Sequence, residues 1–216
     1  MAAKNPLVRK ENGHIDLLAA AGGVRGIAES ILPGLVFLVA FTLTRNLSIA
    51  LVGSVVMAAV FLILRLIQRT PLTQALAGIA GVALSAFLAM QTGKAENFYL
   101  IGFLTNAAYI LAMVVSIAVR WPVLGLLFGY ARNEGVRWRV QPERMRAYRV
   151  ATWILVGVMA ARLLVQLPLY LSEQVDALGA MRLIMGVPLY AFGLWIAWLV
   201  SRPVQDVQRA EDPQNL

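Results

Sequence analysis

Apolar runs close to twenty residues long recur along the chain, and no other feature restricts its fold so strongly. They read Leu47–Ile67, Leu72–Met90, Phe98–Val119, Val150–Leu171 and Ala180–Val200. At about 1.5 Å per residue, a helix of ~20 residues crosses the ~30 Å hydrocarbon layer of a bilayer. Backbone amides in lipid must be paired within their own segment, so each run is expected to be helical. A shorter run, Ser30–Thr44, precedes them; at ~22 Å it makes a short first span or a re-entrant segment. With 60% hydrophobic and 14% charged residues, the 216-residue chain carries more apolar material than a soluble core of its size can bury. The expected fold is an all-α polytopic membrane bundle of about six transmembrane helices, covering about 30–44, 47–67, 72–90, 98–119, 150–171 and 180–200. A polar N-terminal segment, 1–29, and a polar tail, 201–216, flank it. Within the former, Leu17–Ala28 is apolar but broken by Gly22, Gly23 and Arg25, which suits a short interfacial helix.

The net charge of +8 follows the membrane rather than a nucleic acid. Six spans place the N-terminal segment, the 2–3 loop, the long 4–5 loop and the tail on one side. That side holds fifteen Lys and Arg, against three (Arg45, Lys94 and Arg182) on the other. Basic residues accumulate in cytoplasmic loops, so both termini are expected in the cytoplasm of a bacterial plasma membrane. The outer 5–6 connection is acidic, with Glu173 and Asp176. In the 4–5 loop, Arg120–Tyr130 is apolar but too short to cross, and reads as an amphipathic or re-entrant segment. Arg132, Arg137, Arg139, Arg144, Arg146 and Arg149 follow it. Anionic lipid head groups are their expected partner, with Trp121 and Trp138 anchored at the interface.

Charge inside a span is costly, about 2.5–3.5 kcal/mol on insertion scales, so Arg162 in the fifth span is expected to face the bundle interior or water. Gln166 and Glu173 fall on the same helical face, and Pro168 is expected to kink the helix. The pattern R-L-x4-P-L-Y occurs twice, as Arg162…Tyr170 and Arg182…Tyr190, so two kinked helices could frame a cavity. The fourth span adds Asn106 and Tyr109 beside Thr105. A polar pocket of Arg162, Gln166, Tyr170, Glu173, Arg182, Tyr190, Asn106 and Tyr109 is therefore expected. The alternative is a structural arginine with helix-bridging polar side chains. Arg25 and Glu29, four apart, form a candidate cytoplasmic mouth or a simple helical ion pair. Small residues at four-residue spacing (Ala50, Ser54, Ala58; Ala77, Gly81, Ser85, Ala89) predict close helix packing within the chain or between copies of it.

The chemistry-bearing residue types are scarce. There is no cysteine, and the single histidine, His14, lies in the polar N-terminal segment. Metal sites, thiol chemistry and a Ser-His triad are not expected. No phosphate-binding loop, HExxH, GxSxG or paired intramembrane carboxylate occurs. Neither an enzyme nor a cofactor is expected.

Four stretches carry a resemblance: Gly22–Pro33, Thr105–Tyr109, Arg120–Pro122 with Leu126–Gly129, and Gln166–Tyr170. Across about residues 16–200 the chain resembles an actinobacterial family of uncharacterised multi-pass membrane proteins. More distantly, its order of spans is similar to the intracellular septation protein A family. That resemblance implies an inner-membrane protein linked to envelope synthesis and division, acting on lipid or protein partners. It implies no catalytic residues. The polar pocket argues instead for a small transporter or channel.

Overall fold

The computed structural model describes residues 23–68 and 73–202, and these form helices without strands. In chain order they are α1 (Gly23–Thr44), α2 (Leu47–Ile67), α3 (Thr73–Thr92), a 3₁₀ turn (Ala95–Tyr99), α4 (Leu100–Ala118), α5 (Val123–Ala131), a second 3₁₀ turn (Arg137–Val140), α6 (Pro142–Leu171), α7 (Val175–Ile184) and α8 (Val187–Val200). Among the described residues, four helical stretches are long and apolar enough to cross a membrane: Leu47–Ile67, Ala95–Ala118, Pro142–Leu171 and Val175–Val200. In α1 and α3 the apolar part is shorter, Ile31–Thr44 and Gly78–Thr92. Leu43, Val52, Ile67, Leu111, Leu164, Phe192 and Trp195 all face outward. So much exposed apolar surface marks a protein whose solvent is lipid.

Three boundaries differ from expectation: α6 begins at Pro142, eight residues before the expected Val150, so Arg144, Arg146 and Arg149 lie on a helix and not in a loop, and the other two concern α1 and the sixth span. Helix α1 starts before Ser30 and runs through Pro33 for 22 residues. The expected sixth span, 180–200, is instead two helices separated at Met185–Gly186. Pro188 cannot donate to the carbonyl of Ile184, and its ring collides with that carbonyl in a continuous helix. Helix α7 ends at Ile184. Pro168, by contrast, lies inside the unbroken α6, so the two copies of the R-L-x4-P-L-Y pattern do not adopt one conformation. The expected interfacial helix at 17–28 lies mostly outside the described residues.

The chain divides into two compact units, 1–106 with 163–187, and 107–162 with 188–216. In the first, α1 packs on α2 and α7, and α2 packs on α3. Ala50, Ser54 and Ala58 are buried along one face of α2, as their spacing predicts. Asn46 caps that helix by accepting from the Ile49 amide at 3.2 Å. The core centres on Phe37, stacked on Phe98 at 3.9 Å and edge-on to Tyr99 at 5.6 Å. Gly179 makes room there, because a Cβ would lie 2.5 Å from Leu38 and 2.7 Å from the Tyr99 hydroxyl.

In the second unit the nine residues of α5 span only ~14 Å. One face of α5 is buried through Leu124, Gly125, Phe128 and Gly129. Trp138 fills a socket over the two glycines; a Cβ would meet its ring at 2.8 Å from Gly125 and 2.6 Å from Gly129. Trp138 is 1% exposed, so it is a core residue and not the interface anchor expected of it. The bare α5 backbone accepts the indole that amphipathicity alone would send to the head groups.

Candidate binding cleft

Three helix connections of the first unit meet around a cleft of about 630 Å³. They are the α1–α2 turn at Arg45, the α3–3₁₀ turn at Gly93–Lys94, and the α6–α7 turn at Glu173–Gln174. Each turn reverses the chain through one left-handed residue: Arg45 at φ 50°, Gly93 at φ 67° and Glu173 at φ 54°. Glycine adopts that conformation freely, whereas a side chain makes it cost about 1–2 kcal/mol. Arg45 and Glu173 therefore hold their positions against a backbone preference.

The charged lining is largely self-paired. Asp176, in the first turn of α7, accepts from the Thr42 hydroxyl at 2.7 Å and pairs with Arg45 at 2.7 Å. Lys94 donates to Glu173 at 2.5 Å. That hydrogen bond, reinforced by the Glu173 charge, holds the Lys94 ammonium above its ordinary pKa. Glu96 differs from the other carboxylates. Its side chain is only 8% exposed, its nearest cation is Lys94 at 3.8 Å, and among the described residues it accepts no hydrogen bond.

Polar groups continue from the cleft wall into the unit. Asn97, next to Glu96, donates to Thr92 at 2.8 Å and accepts from the Tyr170 hydroxyl at 2.5 Å. One turn before Tyr170, Gln166 is 1% exposed, and its amide nitrogen has no hydrogen-bond partner among the described residues. Arg182 donates to the Tyr99 carbonyl at 3.1 Å and lies over the Tyr99 ring. Gly102 admits its guanidinium, with which a Cβ there would collide.

The expected pocket residues are thus redistributed. Gln166, Tyr170, Glu173, Arg182 and Asn106 belong to the first unit, and Arg162, Tyr190 and Tyr109 to the second. Glu173 lines the cleft; it lies beyond the end of α6 at Leu171 and has left the helical face it was expected to share with Arg162 and Gln166. Arg162 donates to the Tyr190 hydroxyl at 3.1 Å, with its guanidinium 5.3 Å from that ring. Asn106 is buried and Tyr109 exposed. Glu29 pairs with Arg65 from α2 at 2.5 Å, both side chains nearly inaccessible; the Arg25 side chain lies outside the described residues.

The basic loop is also split. Arg132 and Arg144 turn inward, both donating to the Ser201 carbonyl, and Arg132 to the Trp198 carbonyl at 2.9 Å. They satisfy the exposed carbonyls at the C-terminus of α8, where positive charge is favoured. Glu134 and the Tyr148 hydroxyl complete this network. Arg137, Arg139, Arg146 and Arg149 stay exposed, Arg139 stacked over Trp121 at 3.8 Å.

Arg45, Lys94, Glu96 and Asp176 did not stand out in sequence as one site. The legible trace was opposite charges placed in connections of one topological side.

The family described as "Protein of unknown function (DUF3159)" matches residues 21–208. No curated protein and no solved structure matches the chain.

Proposed function

The chain belongs to the DUF3159 family, proteins of unknown function, and we propose that it is a six-span protein of the bacterial plasma membrane that binds partners instead of transforming them. Helices α1 and α3, at 22 and 20 residues, have the length to complete six crossings with the four apolar stretches. The excess of Lys and Arg on one side supports cytoplasmic termini, which assigns the cleft connections to the outer face. Exposed Arg137, Arg139, Arg146 and Arg149 then meet anionic head groups from the inner side. The cleft is the observation that carries the binding reading: its volume is that of a small-molecule site. With the septation-protein resemblance, this supports a role in envelope or septum assembly, through a lipid or protein partner.

The cysteine-free chain suits a direct test of this topology. A membrane-impermeant maleimide should label Ser172→Cys in intact cells, and Gln141→Cys only after permeabilisation. Equal or inverted labelling would reject the arrangement. A deletion strain should septate abnormally or lyse under osmotic stress; normal division and envelope integrity would reject the assembly role.

A second reading, transport, rests on Gln166. A buried amide nitrogen without a partner costs about 1–3 kcal/mol, a cost that a permeating polar ligand would offset. If Gln166→Leu is more stable and retains full activity in cells, the transport reading loses its support.

A further inference from the structure

We infer that the cleft recognises a primary ammonium group, with the Glu96 carboxylate as its acceptor. This rests on the reading of the cleft as a binding site and names the ligand chemistry that site would take.

The lining supplies two cations, Arg45 and Lys94, and three carboxylates, Glu96, Glu173 and Asp176. Arg45 is engaged by Asp176 and Lys94 by Glu173, both at hydrogen-bond distance. Glu96 is the carboxylate left over. At 3.8 Å from Lys94 it has electrostatic company but no donor, and its side chain is more than nine-tenths buried in the cleft wall. A carboxylate offers about four acceptor positions. None of these positions is taken by a hydrogen-bond donor of the protein among the described residues, and an added positive charge would supply donors and balance the excess negative charge of the lining.

The alternatives fit less well. An anion would have to displace a carboxylate from Arg45 or Lys94. A divalent metal needs several converging ligands, and among the described residues no three Asp, Glu or His side chains are placed to hold one. A bare monovalent ion leaves most of a 630 Å³ cleft unused. An ammonium on a small organic body supplies three N–H donors. Phe41, Leu47 and Val175 offer apolar contact to its carbon frame. Ethanolamine lipid head groups and water-soluble primary amines share this chemistry.

The test uses the full chain in neutral detergent, with glycerophosphoethanolamine, glycerophosphocholine and glycerophosphoglycerol as probes. The first carries a primary ammonium, the second a quaternary one without N–H donors, and the third none. Glycerophosphoethanolamine should raise the unfolding temperature, with at least tenfold tighter binding than the other two. Glu96→Gln should lose that preference at least tenfold, while the exposed Glu143→Gln should keep it. Ala177→Phe, which fills the cleft and spares Glu96, should also abolish binding, so the result does not depend on Glu96→Gln folding. Nanodiscs containing phosphatidylethanolamine, compared with phosphatidylglycerol alone, distinguish a lipid source from a soluble one. Equal binding of all probes, no binding by any, or unchanged binding to Glu96→Gln would overturn the ammonium assignment. The binding-site reading fails separately, if Ala177→Phe fully complements the deletion strain.

Discussion

Replacing Gly129 by alanine tests the packing of the basic loop directly. The new Cβ would stand 2.6 Å from the Trp138 Nε1, 2.7 Å from its Cδ1 and 2.7 Å from the Gly135 carbonyl oxygen. Trp138 is enclosed and edge-on to Tyr148 at 5.3 Å, so the ring cannot swing aside freely. Overpacking of this kind costs about 1–3 kcal/mol. Alanine recovers roughly 0.8–1 kcal/mol of helix propensity. The net expected loss is about 0–2 kcal/mol, rising toward ~3–5 kcal/mol if the indole is expelled. For a chain of this length, a loss of ~2 kcal/mol lowers the unfolding temperature by roughly 4–8 °C. Thermal unfolding of the purified chain, read by tryptophan fluorescence, measures it. Gly157→Ala is the control, because nothing lies within 4 Å of its added Cβ. In a Trp138→Leu background the indole collisions vanish and only the Gly135 contact remains, so the two substitutions should be non-additive by about 0.5–3 kcal/mol. A Gly129→Ala chain as stable as Gly157→Ala, or strictly additive losses, would refute the socket.

The remaining expectations concern the first unit. Gly102→Ala should displace the Arg182 guanidinium, the end of a flexible side chain, so thermal unfolding should find a net change of no more than about 1 kcal/mol, more favourable still in an Arg182→Ala background. Arg65→Ala breaks the nearly inaccessible pair with Glu29 and should cost up to about 3–5 kcal/mol, whereas the apolar pair Arg65→Met with Glu29→Leu should recover most of it in the same assay. The Lys94 pKa is raised on folding, so its pairing with Glu173 is fully present below the ordinary lysine value of 10.5 and is lost only as pH rises through the higher folded value. Nitrogen NMR of labelled lysines should therefore show Lys94 titrating above the ordinary lysine value, and the elevation should vanish in Glu173→Gln.

Hydropathy and length made much of the architecture legible. The run Leu47–Ile67 coincides with α2, and α6 ends at the expected Leu171. The break before α8 was only partly accessible: Pro188 forbids a helical bond to Ile184, but Pro33 and Pro168 do the same inside helices that continue, and what sets the break apart is Gly186 two residues ahead of the proline. The Trp138 socket was harder to see. A tryptophan among arginines satisfies the rule for an interfacial anchor, and only the glycines at 125 and 129 hinted that a ring would be received there. The cleft was least legible of all. Lys94 and Glu173 are 79 residues apart, Thr42 and Asp176 134. Periodicity within one helix carries no information on such pairs, so charges that later proved to be partners entered only as a topological excess.

The same charges answer two demands. Positive residues outside the cytoplasm oppose the preferred orientation of a membrane chain, and on the topology proposed here Arg45 and Lys94 stand there nonetheless. Arg45 and Glu173 also occupy turn positions that glycine would fill without strain, as Gly93 does in the third turn of the same cleft. Topology and backbone preference alone would place neutral glycines at 45 and 173. Fold stability offers little in return, because both ion pairs are largely exposed, and exposed pairs contribute weakly. What the side chains do provide is a fixed arrangement of opposite charges around Glu96. With Arg45 and Lys94 engaged by Asp176 and Glu173, Glu96 has Lys94 at 3.8 Å but no hydrogen-bond donor among the described residues, and the proposed preference for an ammonium ligand rests on that arrangement.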